Sequence, residues 1–407
     1  MRFFSPHRFA GLALSVIAAM TLASTPLDAR ADNGFKTWVA NFYRTAAENG
    51  ITRSTYNKAF AGVKGPDEDV LRKANYQPEF KTEIWQYLDS RVNPFTVRNG
   101  REMLARHGRL LEALEHRFGV DKHVLLAIWS MESNYGAVLD QPERLHHIPQ
   151  ALATLAWADP RRAKFARTQL IAALKILQTG EISPKHLTGS WAGAMGHTQF
   201  IPTSYLLYAV DADGDGRRDI WSSVPDALAT AANLLAENGW QAGKTWGYEA
   251  VLPPGAARYA GQTKTLGQWA ALGFIRPNGK DFPRPGDRAE LKLLAGAEGP
   301  AFLMLRNFFV VKRYNAADSY ALAVGLLADE IAGYGGMVQP WPRPHGTLDV
   351  REKLELQSRL KAMGYYDGEI DGNLGSGSRA AISAIQSRLG MEADGEPSQT
   401  LLKRLRN

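Results

Sequence analysis

The sequence predicts a mainly α fold with a small helical domain appended at the C-terminus, and three observations carry that reading. Apolar residues recur at helical spacing in several well-separated segments, most of them closed by glycine or proline. Composition changes sharply at residues 339–346, where three prolines fall in eight residues. The length of 407 residues exceeds one average domain, and 45% apolar against 22% charged residues is ordinary for a globular chain with a sizeable core.

The first element is read as a signal peptide over residues 1–31. Arg2 and Arg8 stand near an apolar run from Phe9 to Leu22, and Ala29-Arg30-Ala31 places small residues where a signal peptidase cuts. The run is too short for a permanent anchor, and no later stretch approaches the about 20 apolar residues a spanning helix needs. A cleaved signal without a stable membrane anchor implies export to the periplasm. There are no cysteines, so nothing is exposed to stray disulfide formation there. The net charge of +7 suits an anionic polymer or surface. Nucleic acid is not expected, because no basic-aromatic stripe or nucleic-acid motif is present.

From residue 32 to 338 the pattern predicts one large domain. Helices are expected over 111–118, 124–131, 165–177, 227–235 and 320–331, with short strands at 248–252 and 308–311. Residues 339–346 form a stiff, extended connector. Beyond it, 347–407 is long enough for a small independent domain, with helices expected at 350–363, 378–389 and 398–405. Asp367-Gly368, Asp371-Gly372 and Asp394-Gly395 supply turn signals between them.

Three constellations carry chemistry. In Ala127-Ile128-Trp129-Ser130-Met131-Glu132-Ser133-Asn134-Tyr135-Gly136, Asp121 is placed to cap the helix and Gly136 to end it. Ile128 and Val124 lie four and eight residues before Glu132, so its carboxyl leaves the last turn on the apolar face. A carboxyl held there is costly to ionise, and its pKa should rise toward the range a general acid needs. The pattern alone does not separate this from a helix-end glutamate reaching solvent. The run from Ser190 to Tyr205, with Gly193 and Gly196, permits close backbone approach to a ligand, and Ser190 and Gln199 offer neutral hydrogen-bonding groups suited to a sugar. It reads equally as a buried turn, and His197 within it, lacking a fixed partner, reads as structural. Third, Asp211, Asp213, Asp215 and Asp219 match the opening of a calcium loop with glycine at its sixth position. Ser222 stands where a bidentate glutamate belongs, and Asp226 is the candidate replacement. A metal-free Asp/Gly turn is the competing reading.

Glu-Ser-Asn-Tyr-Gly at 132–136, the Gly-Ala-Met-Gly-x-x-Gln-Phe-x-Pro-Ser/Thr-Ser-Tyr run at 193–205 and Arg313-Tyr314-Asn315 together resemble the B-type lytic murein transglycosylases, over about residues 35–335. The resemblance implies a lysozyme-like α+β domain that cleaves the β-1,4 bond between N-acetylmuramic acid and N-acetylglucosamine in peptidoglycan. It implies that Glu132 acts first as acid and then as base, leaving a 1,6-anhydro end. Ser190, Gln199 and Tyr314 match the family's substrate-side groups, with Met195 and Asn315 beside them. The family also has an EF-hand-like loop where the aspartates lie, which makes calcium a structural candidate, with no cofactor required for the reaction. One departure stands out: Asn233-Leu234 replaces an asparagine–aromatic pair that lines the family's cleft.

The segment containing Leu356-Gln357, Gly364-Tyr365-Tyr366-Asp367-Gly368, Ile370-Asp371-Gly372, Arg379-Ala380-Ala381-Ile382 and Gln386 resembles a three-helix peptidoglycan-binding domain. Peptidoglycan glycan strands are therefore the implied partner, with cell-wall synthesis or division proteins as further candidates. A muramidase that hydrolyses the same bond, and a non-catalytic wall-binding protein, are the rival readings. The first fits the absence of a second acidic residue from the three motif segments no better than transglycosylation, since ordinary glycosidases use paired carboxylates.

Overall fold

The computed structural model describes residues 27–75 and 83–406. The expected signal segment, 1–31, lies outside these residues as far as position 26; residues from Leu27 onward form the start of the first helix.

Sixteen α-helices are present among the described residues. The first five, α1 (Leu27–Glu48), α2 (Arg53–Ala59), α3 (Glu68–Asn75), α4 (Ile84–Arg91) and α5 (Pro94–Phe118), lead to the central α6 (Lys122–Ser133), and of these α5 packs most closely against it. A two-residue pairing of β1 (His146–His147) with β2 (Thr188–Gly189) brackets α7 (Ile148–Ala158) and α8 (Ala163–Thr179). Then come α9 (Pro202–Tyr208) and α10 (Val224–Glu237). A small antiparallel sheet follows, built from β3 (Gly247–Ala250), β4 (Thr263–Thr265), β5 (Arg288–Lys292) and β6 (Ala301–Met304) in the order β3-β6-β5-β4, with α11 (Leu266–Ala271) between β4 and β5. Finally, α12 (Arg306–Tyr314) and α13 (Asp318–Ala332) return the chain to the main core.

The sequence explains the centre. From Val124 to Ser130 every residue of α6 is buried, and a helix apolar on all sides is stable only when surrounded. Asp121 caps it as expected, accepting from His123 N at 2.7 Å. The stop comes earlier than expected: Asn134, not Gly136, takes the left-handed cap at φ 49°. Truncating Ile128 or Trp129 to alanine would cost about 2–5 kcal/mol.

Two expectations change. The segment 308–311 is not a strand but the middle of α12, which buries Asn307, Phe308, Val310 and Val311. The sheet is also larger than expected, with its own core of Trp269, Phe274, Leu291 and Leu303. The mainly α class stands.

The C-terminal unit consists of α14 (Val350–Ala362), α15 (Ser376–Arg388) and α16 (Gln399–Arg406) around Leu356, Leu360, Ile382, Ile385 and Leu401. Buried Gln357 and Gln386 organise its turns, accepting backbone N–H groups from Asp371, Gly372 and Gly395 at 3.0, 2.6 and 2.8 Å. The connector lies against the large domain. Gln339 N donates to Glu249 at 2.6 Å, Trp341 stacks on Phe302, and Arg343 makes a bidentate pair with Asp89 of α4 at 2.7 and 2.8 Å. No described helix is long and apolar enough to cross a membrane.

Candidate active site

The end of α6 is bolted to the 190–205 segment. Ser133 Oγ donates to the His197 carbonyl at 2.6 Å and accepts from Gly136 N at 2.9 Å. The Trp129 indole donates to His197 Nδ1 at 3.3 Å, so that nitrogen carries no proton, and burial holds the imidazole pKa below its ordinary value. Gly136 is required here: a Cβ would fall 2.5 Å from the His197 ring. His197 therefore has a structural place.

The segment is itself a tight double turn. Met195 and Phe200 exchange backbone hydrogen bonds at 2.9 and 3.0 Å, and Ser190 Oγ accepts from Ala194 N at 3.0 Å. Gly196 does not leave room for a ligand as its sequence context implied, because a Cβ would strike the Ile220 carbonyl at 2.3 Å. Gln199, at φ 48°, folds back to donate to the Gly196 carbonyl at 2.8 Å and stays half-buried.

Glu132 is half-buried, and burial raises its pKa to about 7. Two groups pull the other way: the Tyr320 hydroxyl, which donates to Oε1 at 2.6 Å, and the Arg91 guanidinium. Among the described residues, no carboxylate is one of the groups that act on it. Tyr320 lies parallel to Tyr314, with ring centroids 6.5 Å apart, and the Tyr314 hydroxyl donates to the Thr198 carbonyl. Tyr314 in turn meets Phe200 edge-on at 5.4 Å. The three sequence motifs thus converge through Glu132, Tyr320, Tyr314 and the 198–200 turn. The result is a proton donor poised near neutrality beside neutral hydrogen-bonding groups.

Other expected residues are placed differently. Met195 is fully buried in the main core, so its side chain packs the turn from behind and does not face an open cleft. Asn315 is exposed and accepts from Ala317 N at 3.1 Å, closing the turn between α12 and α13. Asn233 donates to the Tyr208 carbonyl at 3.0 Å. The sequence does not point to Tyr320, to Arg91, or to Tyr87, whose hydroxyl pKa is raised by burial and by the nearby Glu132 charge. In the sequence Tyr320 is only the start of an apolar helix, and a buried tyrosine's need for a hydroxyl partner is the one available signal.

Of the five expected metal ligands, three come together. Oxygens of Asp211, Asp213 and Asp226 lie within 4.8 Å of one another. Asp215 is instead taken by Arg217 at 2.8 Å, and Asp219 accepts from Trp221 N, Ser222 N and the Ser222 hydroxyl. Asp226 is fully buried, and its pKa is raised by burial and by neighbouring Asp213. Three hard oxygen donors that repel one another fit a divalent cation such as calcium.

The profile of the transglycosylase SLT domain family matches residues 34–329, well over half the chain. The chain belongs to the transglycosylase SLT family. A peptidoglycan binding domain profile matches residues 352–405, so this is a transglycosylase with a wall-binding domain behind it. It is 31% identical over 297 residues to the membrane-bound lytic murein transglycosylase B of Escherichia coli, covering 70% of this chain and 80% of that protein. Among solved structures it is similar to SltB3 of Pseudomonas aeruginosa in complex with NAG-anhNAM-pentapeptide, at 46% identity and a TM-score of 0.73, covering 92% of this chain and 99% of that one. It is also similar to the Escherichia coli lytic transglycosylase Slt35 in complex with calcium, at 27% identity and a TM-score of 0.61, covering 74% and 94%.

Proposed function

We propose that this SLT-family enzyme cleaves the β-1,4 bond between N-acetylmuramic acid and N-acetylglucosamine in peptidoglycan, with Glu132 as its single acid/base. The observation that carries this is a carboxyl with pKa raised to about 7, hydrogen-bonded to Tyr320, with no carboxylate of the described residues among the groups acting on it. Protonated Glu132 donates to the glycosidic oxygen as the C1–O bond breaks. The resulting carboxylate then takes the proton from the muramic C6 hydroxyl, whose oxygen bonds to C1 and closes the 1,6-anhydro ring. One proton enters and one returns, and no water is consumed. Tyr320 holds the carboxylate oriented between the two steps.

Ser190, Gln199, Tyr314 and Asn315 are the proposed substrate-side residues, with Met195 supporting the turn that presents them. Tyr314 contributes its position and ring face, since its hydroxyl is committed to Thr198. Residues 32–338 are the catalytic domain, 339–346 the connector and 347–407 the wall-binding domain. Residues 1–31 act as a cleaved signal for the periplasm. Asp211, Asp213 and Asp226 are the proposed calcium ligands, with a structural role. Chelator should then lower the melting temperature, and an unchanged midpoint would remove the metal.

Product analysis tests the reaction. Digestion of isolated sacculi should yield anhydromuropeptides by mass spectrometry. Reducing ends would instead establish a muramidase, and no release by the wild type would leave only wall binding.

A further inference from the structure

The helices α6 and α13 pack side by side, and the two ends of the pair present different chemistry. One end holds Glu132 and Tyr320. The other, about 12 Å along α6 at 1.5 Å per residue, borders a cavity of about 630 Å³ between the helices and the small sheet. That size is typical of small-molecule sites. Val124 and Leu326 contribute apolar wall, and Trp240, Trp246 and Tyr248 supply aromatic faces.

Most charges around this cavity are already satisfied. Lys244 and Arg284 both bind Asp287, at 2.6 and 2.9 Å. Glu249 is occupied by the backbone of Val338 and Gln339, Glu115 lies 3.6 Å from Lys122, and Asp121 is paired with His123. Two groups of opposite sign remain. Asp329 accepts from the Trp246 indole through Oδ2 at 3.1 Å, while its Oδ1 takes no hydrogen bond from any described residue. Arg276 lies over the Tyr248 ring at 5.1 Å and pairs with no carboxylate among the described residues. Asp329 is half-buried, and its second oxygen is open to bind on the wall of a ligand-sized space.

We propose that this cavity is a second ligand site, taking an amino-acid or short peptide end whose ammonium binds Asp329 and whose carboxylate binds Arg276. The aromatic walls favour the ammonium further, through their ring faces. Burial raises the Asp329 pKa to about 7, and a bound ammonium would offset that desolvation. The inference does not rest on the Glu132 chemistry, and a Glu132→Gln chain should retain the site.

The test uses the full chain and D-alanyl-D-alanine as probe, followed by calorimetry and by the Trp246 indole N–H resonance. Saturable binding in the millimolar range or tighter is expected, and it should survive in Glu132→Gln. N-acetylation of the probe, or Asp329→Asn, should each weaken binding roughly tenfold or more, as loss of a charge-assisted hydrogen bond does. Asparagine keeps an acceptor for Trp246. Half-buried Arg276→Ala, with the probe's carboxyl amide as its counterpart, gives a second arm that does not disturb the core. No saturable shift, equal binding by Asp329→Asn and wild type, or loss of binding in Glu132→Gln would overturn the proposal.

Discussion

Glu132 and Asp329 are two acids with the same electrostatic history and different surroundings. Each sits at one end of the α6–α13 pair, each is raised by burial to about 7, and each accepts one hydrogen bond from an aromatic side chain. What differs is what lies beyond the carboxyl. Around Glu132 the neighbours are Tyr320, Tyr314, a turn of neutral groups and the Arg91 guanidinium. Around Asp329 they are indole rings, Asp121, His123 and a cavity that also holds Arg276. A raised pKa therefore marks a buried acid and does not by itself mark a catalytic one. Geometry around the group assigns the role.

The widest separation between the two should be in turnover. Glu132→Gln should lower release of anhydromuropeptides by about 10²–10⁴-fold, the range of a general acid/base, while Asp329→Asn should lose far less. Sacculus digestion followed by mass spectrometry reads both. Comparable losses would collapse the distinction. In the wild type, kcat/KM should fall as pH rises through about 7, because the first step requires protonated Glu132.

Stability should unite what turnover separates. Both acids have folded pKa values above their ordinary 4.5 and 3.8, so the native state holds extra protons between those values and about 7. Their contribution to stability is full at low pH and is lost as pH rises through about 7. Glu132→Gln and Asp329→Asn should each gain on the wild type between pH 4 and pH 8, by up to about 3 kcal/mol. Urea melts at the two pH values check this. A variant whose advantage does not grow with pH has an acid that is not buried as described.

How much of this contrast is legible in the sequence follows from how the residues are strung. Glu132, Gln199 and the aspartate loop stand in contiguous motifs, and spacing alone placed the carboxyl on an apolar helix face. Tyr320, Tyr87 and Arg91 come from distant helices and reach Glu132 only through packing. Phe308-Phe309-Val310-Val311 has strand-like composition, yet it forms α12 because a helix there buries Phe308, Val310 and Val311 in the main core. Tertiary packing overrides local propensity in such runs. Asp215 and Asp219 fit the loop's register but are claimed by Arg217 and Ser222, partners that no ligand spacing reveals.

A smaller effect sharpens the Glu132 end. Tyr320→Phe removes the hydrogen bond that favours the carboxylate, so the Glu132 pKa should rise further, by about half to one unit. The alkaline limb of the kcat/KM profile should move upward with it, while kcat drops several-fold because the base of the second step loses its orientation. A lower kcat with an unmoved limb would make Tyr320 a packing residue only.

The least costly change tests whether α4 links the Glu132 end to the wall-binding domain. This helix carries Arg91, which acts on Glu132, and Asp89, which holds the connector through Arg343. The pair is bidentate and mostly shielded, with side-chain exposures of 19% and 13%, but Lys353 at 3.9 Å partly replaces a lost arginine. Arg343→Ala should therefore cost only about 1 kcal/mol or less. The connector, still held by Gln339 and Trp341 on one side only, should become several-fold more sensitive to limited proteolysis. Turnover of soluble glycan fragments should stay at the wild-type level, because Glu132 keeps its own partners. Digestion of intact sacculi should slow, because the wall-binding domain is no longer held against α4. Equal slowing on both substrates would mean that the ion pair supports α4 itself and not the placement of the second domain.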